Sequence, residues 1–443
     1  MPQGGGRRLT EATGTEAAPK VRSLMSVWGV AALGIGSMVG AGIFTLLGEA
    51  ALMTGRDVYL SFGVGGAIAL LSGYSYARLA ARYPGRGGIM EYFDRAFPWR
   101  ALAGGLSILF LVSMIIALTM IAKTFGAYAG RLALGDHSSA LAVDAFASVI
   151  VIVVVLANMA GSGMVSHIEE FLVGFKLVIL AGLMLVGLWA LDSSMMAGEP
   201  EVAPTTLFAS VGLTFFAYAG YGIMANASGY VADPAKTIPR AIFIAIGVVV
   251  MLYIGLAVIV LGHVPADHLL RYRHTAVAQA AHRVFGSPGF VVVSVAALLA
   301  TTSALNASLF SGLEISKAMA ARGELPAIFG KPAWREGTHG LVWAAAIVLV
   351  LVNLIDLSAI CHIAGAAALI LYLAVFAAHW RLRGETGGSR SLILLGAGLM
   401  TAVLIAQVVH LWTTRPEVLA FTVVAVLGSL ALERAILRRS GRT

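Results

Sequence analysis

Charge is what this sequence has least of. Only 12% of its 443 residues are Asp, Glu, Lys or Arg, about half of the roughly 25% usual in a soluble domain, while 59% are hydrophobic. A chain so poor in charge cannot present a watery surface over so much apolar matter. Its mean hydropathy of +0.89 makes lipid its solvent. Cysteine is nearly absent too: the single Cys361 excludes an internal disulfide framework and any multi-cysteine metal site, and is expected to be an inert packing residue. The alternating ten-residue segments of a transmembrane β-barrel are missing. So are a helical His-Glu-x-x-His pair and a nucleophile with a facing base, which argues against an intramembrane protease and against an enzyme.

What is present is a series of long apolar runs. A spanning helix needs about 20 mostly apolar residues, and twelve runs qualify: 28–54, 58–81, 101–130, 140–160, 169–191, 205–229, 240–263, 288–316, 341–356, 358–380, 391–413 and 417–435. The expectation is an all-α membrane protein of twelve transmembrane helices. The ninth run is short and the first and eighth are long, so tilt or breaks are expected there. The net charge of +8 suggests nucleic acid until its placement is read. With the N-terminus in the cytoplasm, Arg56, Arg131, Arg271, Arg273, Arg283 and Arg415 fall outside, Lys123 and Lys176 fall within spans, and the other basic residues occupy the tails and inner loops. That is the positive-inside distribution of a multi-pass cell-membrane protein with both termini cytoplasmic. Its partners are then membrane lipid and a small molecule, with no nucleic acid. Residues 1–27 read as a flexible cytoplasmic tail with no signal-peptide core, and 436–443 as a short basic tail.

The connections are too short to form a soluble domain. Thr275–Gly286 places Val277, Ala280, Ala281 and Val284 at helical spacing before a glycine stop, which predicts a short external helix on the membrane face. Gly87–Phe97 is a second amphipathic piece, leading into the third span from the cytoplasm. Function is therefore left to the spans.

Two spans carry an anomaly. "GIGSMVGAGIF" (Gly34–Phe44) has four glycines in the middle of the first span, each costing about 1 kcal/mol of helix stability relative to alanine. Gly40 is roughly 18 Å in from Trp28, near the bilayer midplane. The sixth span repeats the device in "FFAYAGYG" (Phe215–Gly222). Non-helical backbone at that depth is tolerated only where protein buries it or water reaches it. Two matched breaks five spans apart mark the halves of a duplicated transporter. In the first span the outer half-helix begins near Ala41, so the amides of Ala41, Gly42 and Ile43 and the positive dipole end suit a carboxylate. Carbonyls near Met38 and from Phe215 to Tyr218 suit an ammonium. The candidate substrate residues are Met38, Val39, Gly40, Ala41, Gly42 and Ile43 with Phe215, Phe216, Ala217, Tyr218, Ala219, Gly220 and Tyr221. The competing explanation is that these small residues only let helices pack closely. The reading calls for no cofactor and no metal. Met38, Val39, Ile115, Phe216, Tyr218 and Tyr221 are apolar or aromatic and the third span holds no acid, which predicts a neutral aliphatic or aromatic amino acid.

These residues also carry a family resemblance. With "GAGIF" (Gly40–Phe44), "YPGRGGIMEYFDRAF" (Tyr83–Phe97), "FFAYAGYG" followed by "DPAKTIPRAI" (Asp233–Ile242), and "SALNASLFSG" leading to "AMAARGELP" (Ser303–Pro326), the chain resembles the amino acid/polyamine/organocation permeases from about residue 24 to 435. The resemblance implies a five-plus-five inverted repeat shared with the bacterial leucine transporter. Repeat one would cover about 28–191, repeat two about 205–380, and two further helices about 391–435. It implies secondary transport of amino acids or related amines, with substrate between the first, third, sixth, eighth and tenth spans. The chain departs from many relatives in having Gly222, Gly229 and Tyr230 where they carry acids, and Glu314 where arginine is common. Glu314 and Lys317 are spaced to pair. An exchanger, or from another class a channel, is the alternative; matched breaks favour alternating access.

Lys176 in the fifth span lies about 9 Å past Glu170, near enough to snorkel to the interface. The resemblance implies more: in some proton-coupled relatives a lysine here places its ammonium where sodium-coupled relatives hold the ion, between the first and eighth spans. Thr302, Ser303 and carbonyls near Gly36–Val39 would surround it, and burial disfavours a lysine's charged form. A proton is then the coupling ion. His362 is expected to be packed and hydrogen-bonded, and Ser303 and Asn306 to bond between helices or line a cavity.

Overall fold

The computed structural model describes residues 25–84, 88–160, 165–191, 202–323, 325–334 and 337–440. Most of the proposed N-terminal tail, residues 1–24, and the last three residues lie outside that range. In lipid every backbone amide and carbonyl needs a partner within the chain, and the apolar runs accordingly wind into helices. They are α1 (Val27–Met38), α2 (Leu47–Thr54), α3 (Val58–Arg82), α4 (Gly88–Ala96), α5 (Arg100–Leu134), α6 (Ala140–Ala160), α7 (Val165–Trp189) and α8 (Pro204–Tyr218). Then follow α9 (Ile223–Asn226), α10 (Pro234–His263), α11 (Ala266–Tyr272), α12 (Ala276–Arg322), α13 (His339–Leu354), α14 (Leu357–Thr386), α15 (Arg390–Thr414) and α16 (Pro416–Ser440). Helix α16 continues through most of the segment expected to be a basic tail. A two-stranded antiparallel ribbon, β1 (Pro332–Trp334) with β2 (Gly337–Thr338), precedes α13.

Among the described residues ten stretches are long and apolar enough to cross a membrane. One of them, Val27–Arg82, has 56 residues, which is about 84 Å of helix, so the chain must turn back within it. Gly55, at φ +53°, is where it does so. Helix α13 is apolar but only 16 residues long. Helix α12 is interrupted at Gly286, at φ +69°, with Pro288 close behind. The glycine stop after Thr275–Phe285 is thus borne out, but Val277, Ala278, Ala280 and Ala281 are fully buried against the bundle rather than turned to the membrane surface.

The face at which α1 begins is here termed proximal, and that of the Gly55 turn distal. At the proximal face Tyr83 donates to Glu385 (2.8 Å) and the Ser389 amide to Tyr74 Oη (2.9 Å). Helix α4 packs there through Ile89, Met90, Tyr92, Phe93 and Ala96, with Glu91 and Arg95 paired at 2.9 Å on its outer side. At the distal face Tyr272 donates to Asp136 (2.8 Å), and Lys123 Nζ donates to the Ile355 carbonyl (2.7 Å) while pairing with Asp144 (2.8 Å). Asp356 caps α14 by accepting from the Ala359 amide. Burial raises the Asp356 carboxyl, but that amide and Arg415 outweigh it and hold the group below the ordinary carboxylate value.

Small residues set the helix spacing, as expected where packing rather than hydrophobic exclusion drives association. Gly66 of α3 lies under Val250 of α10, and Gly126 of α5 under the backbone of Val143 in α6. A Cβ at Gly126 would collide with the Val143 carbonyl oxygen. Gly126→Val should therefore cost about 1–3 kcal/mol and lower the melting midpoint of the detergent-purified protein. An unchanged midpoint would contradict so close an α5–α6 contact.

Candidate functional site

The first break is a compact piece of backbone chemistry. Helix α1 ends at Met38; Val39 takes φ −80° and ψ 62°, the inverse γ-turn geometry, and the Gly40 amide folds back to the Met38 carbonyl at 2.8 Å. Helix resumes at Ala41 and passes through a π-helical turn, Gly42–Leu46, before α2. The amides of Ala41, Gly42 and Ile43 thus open a new helix, and they have no preceding turn to donate to. The second break is tighter than a break implies. After α8 the chain continues through 3-10 turns at Ala219–Gly222 and Ala227–Tyr230, separated only by α9, so the winding narrows instead of extending.

The two breaks touch. A Cβ at Gly220 would lie 2.8 Å from Met38 N and from Ser37 C, and one at Gly42 would lie 3.0 Å from the Ala217 Cα. One at Gly40 would meet Ala304 of α12 at 3.2 Å. Close packing is therefore a real duty of these glycines. It also means that Gly42→Val would disturb α8 whether or not substrate is present.

The carbonyls expected to await an ammonium are partly taken. Met38 O accepts from the Gly40 amide and from Tyr253 Oη of α10 (2.7 Å), which also lies 3.4 Å from Ala217 O, and Tyr372 of α14 donates to Ala219 O. A buried carbonyl without a partner is costly, and these tyrosines remove that cost. Sequence reading overlooked Tyr253 and Tyr372. The available signal was a phenol in the middle of an apolar span, whose hydroxyl must find an acceptor.

Around the second break Phe215, Tyr221, Tyr372 and Tyr76 of α3 form an aromatic cluster, with centroids 5.2 to 5.6 Å apart in four of its pairs. Tyr92 of α4 extends it toward the proximal face, and Tyr221 Oη lies 2.5 Å from Ser72 Oγ. Tyr218 belongs elsewhere: its hydroxyl donates to the Phe62 carbonyl at 3.0 Å, so it packs toward α3. Every residue from Val39 to Ala51 is buried, whereas Ser37 is exposed and Phe216, Ala219 and Gly220 are half-buried.

Lys176 does not snorkel. Its side chain is 2% exposed and its Nζ donates to the Gly36 carbonyl at 2.8 Å, one turn before the break. The α12 segment from Thr302 to Ala304 reaches the same level through the Ala304–Gly40 approach, but the Thr302 hydroxyl donates back to Leu298 O within its own helix. Ser303 is half-buried between them. Asn306 accepts from Asn158 Nδ2 at 2.7 Å, the interhelical bond expected of it. His362 is packed and Cys361 fully buried, but the His362 Nδ1 has no hydrogen-bond partner among the described residues. The Glu314 side chain, and those of 161–171, lie outside the described residues.

A family model described as amino acid permease matches residues 25–428. The chain is 37% identical to the inner membrane transport protein YbaT of Escherichia coli, over 94% of this chain and 96% of that one. It is 31% identical to an uncharacterized protein of Methanocaldococcus jannaschii, over 92% and 94%. It is 25% identical to the serine/threonine exchanger SteT of Bacillus subtilis, over 80% and 82%.

The interlock of the breaks is open to a controlled test. Gly220→Ala should lower the melting midpoint, while Gly229→Ala, where a Cβ meets nothing within 4 Å, should not. Equal midpoints for the two variants would separate the breaks.

Proposed function

The chain belongs to the amino acid permease family, within the amino acid/polyamine/organocation superfamily, and on that premise we propose that it takes up neutral amino acids by proton-coupled alternating access. It is a multi-pass membrane transporter and not an enzyme. Counting Val27–Arg82 as two spans and α13 as one gives twelve, arranged as two inverted sets of five followed by α15 and α16. Basic residues collect at the proximal face, which is the cytoplasmic one in this reading.

The observation that carries the proposal is the contact between the two breaks, Gly220 against Ser37–Met38 and Gly42 against Ala217. The amide-bearing start at Ala41–Ile43 then lies beside carbonyls of both breaks. A zwitterion is what such a pair of ends can hold: carboxylate on the amides and helix dipole, ammonium on carbonyls. Tyr253 and Tyr372 hold those carbonyls in this conformation, so substrate entry exchanges phenol hydroxyls for an ammonium. Helix α5 has no acid from Arg100 to Leu134, and half-buried Ile115 and Phe216 offer the side chain apolar surface. These features favour a neutral substrate.

Proton coupling rests on Lys176. Its ammonium, buried against the Gly36 carbonyl, ties the fifth span to the first just below the break. Losing the proton weakens that tie, which links protonation to the position of α1. Obligatory exchange is the second reading, favoured by the similarity to SteT.

Both are tested in proteoliposomes. Uptake of a labelled neutral amino acid should be inhibited by other neutral amino acids and not by arginine, glutamate or polyamines. It should be sodium-independent and driven by an inward proton gradient, and Lys176→Met should abolish gradient-driven accumulation. Preferential inhibition by arginine or putrescine contradicts the substrate class. Sodium dependence, or unchanged accumulation by Lys176→Met, contradicts the coupling. Uptake that occurs only against internal amino acid supports exchange.

A further inference from the structure

A second polar site lies at the distal end of the broken first span, away from the substrate residues. Glu49 of α2 is 5% exposed. Three side chains from two elements converge on its carboxylate: Ser358 of α14 donates to Oε2 at 2.7 Å, and Arg273 Nε and His274 Nδ1, both from the turn before α12, lie 3.1 and 3.3 Å from Oε1. Neither forms an aligned hydrogen bond to Oε1, and Arg273 Nε donates instead to His274 Nε2 at 3.3 Å, so it is the charge of the Arg273 guanidinium that holds Oε1. Gly48 lies directly beneath the same turn, and a Cβ there would fall on the Arg273 carbonyl oxygen. The turn therefore rests on α2 at two adjacent points, one steric and one ionic. The buried helix that follows it, through Val277, Ala280 and Ala281, covers the bundle behind the contact.

We propose that Glu49 is a positioning residue for the transport cycle, the latch that holds the distal segment around Arg273 over α2 and α14 and so keeps the distal path to the break closed. Separating α2 from the segment breaks the Arg273 pair, and a buried carboxylate that loses its cation gains a strong drive toward water. Closing restores the pair at the cost of removing the charge from water. A pair that is closed and buried in one arrangement and separated and hydrated in the other would give the two states a gate requires. The burial of every residue from Val39 to Ala51 corresponds to the latched state. The proposal rests on the alternating-access reading and adds to it the residue that governs the outward step.

The chain supplies its own reporter. Cys361, the single cysteine, is fully buried one helical turn beyond Ser358 and within electrostatic reach of Glu49 and Arg273. With the purified protein in oriented proteoliposomes, a membrane-impermeant thiol reagent applied from the distal side should label Cys361 slowly. Glu49→Gln and Arg273→Gln should each raise that rate about tenfold or more, and Arg273→Lys should keep it low. Labelling from the proximal side should not change, which separates unlatching from general loosening. If either Gln variant, inserted and with a melting midpoint close to wild type, labels at the wild-type rate, or if the rate rises equally from both sides, the latch is overturned. Gly48→Ala, which lifts the turn without removing a charge, should also raise distal labelling; wild-type labelling in this variant overturns it equally. Labelling needs no substrate. Responsive labelling with no uptake would therefore defeat the transport reading alone, and normal uptake with unresponsive labelling would defeat the latch alone.

Discussion

The requirement that backbone polar groups be satisfied inside lipid governs this molecule. One inverse γ-turn at Val39 places a carbonyl end and a fresh set of amides in the buried interior of the first apolar span, where an unmatched group costs about 1–3 kcal/mol. The surroundings can be read as answers to that cost. Tyr253 and the Gly40 amide satisfy the Met38 carbonyl, Tyr372 satisfies Ala219, and the Lys176 ammonium takes the Gly36 carbonyl. The amides of Ala41–Ile43, which open the second half-helix, are the end that the proposed carboxylate would take.

The same economy explains the glycines. The two breaks meet backbone against backbone, at Gly220 against Ser37–Met38 and at Gly42 against Ala217. Close packing and ligand recognition are thus not rival explanations of these residues. The first creates the geometry that the proposed recognition would use. Lys176 adds a titratable group at the hinge of the first span, and Glu49 adds an ion pair at its far end. The interrupted first span is thus tied by charge beside its break and again near its distal end.

Much of this was legible in the sequence because the relevant signals are strong in lipid. Gly34–Phe44 announces a break, Gly286 announces the end of the helical stretch that follows Thr275, and Asn306 announces an interhelical bond. The second break was legible in place but not in form, since helical φ and ψ persist through Ala219–Gly222 and only the hydrogen-bond spacing tightens. Tyr253, Tyr372 and Tyr76 were missed because they stand alone in apolar spans far from any motif; their role depends on which carbonyl each meets across the bundle. Tyr218 was placed at the site by its neighbours in the chain, yet the helix turns its hydroxyl to Phe62. The burial of the 273–285 segment follows from tertiary packing that no local periodicity encodes.

Recognition of a zwitterion by two interlocked helix breaks is the central claim, and calorimetric titration of the purified protein with three ligands tests it directly. A neutral amino acid, its decarboxylated amine, and the corresponding carboxylic acid without the amine share one side chain and differ only at the groups the breaks would hold. The amino acid should bind about tenfold or more tightly than either fragment. Equal affinity for the amino acid and either fragment would contradict the account.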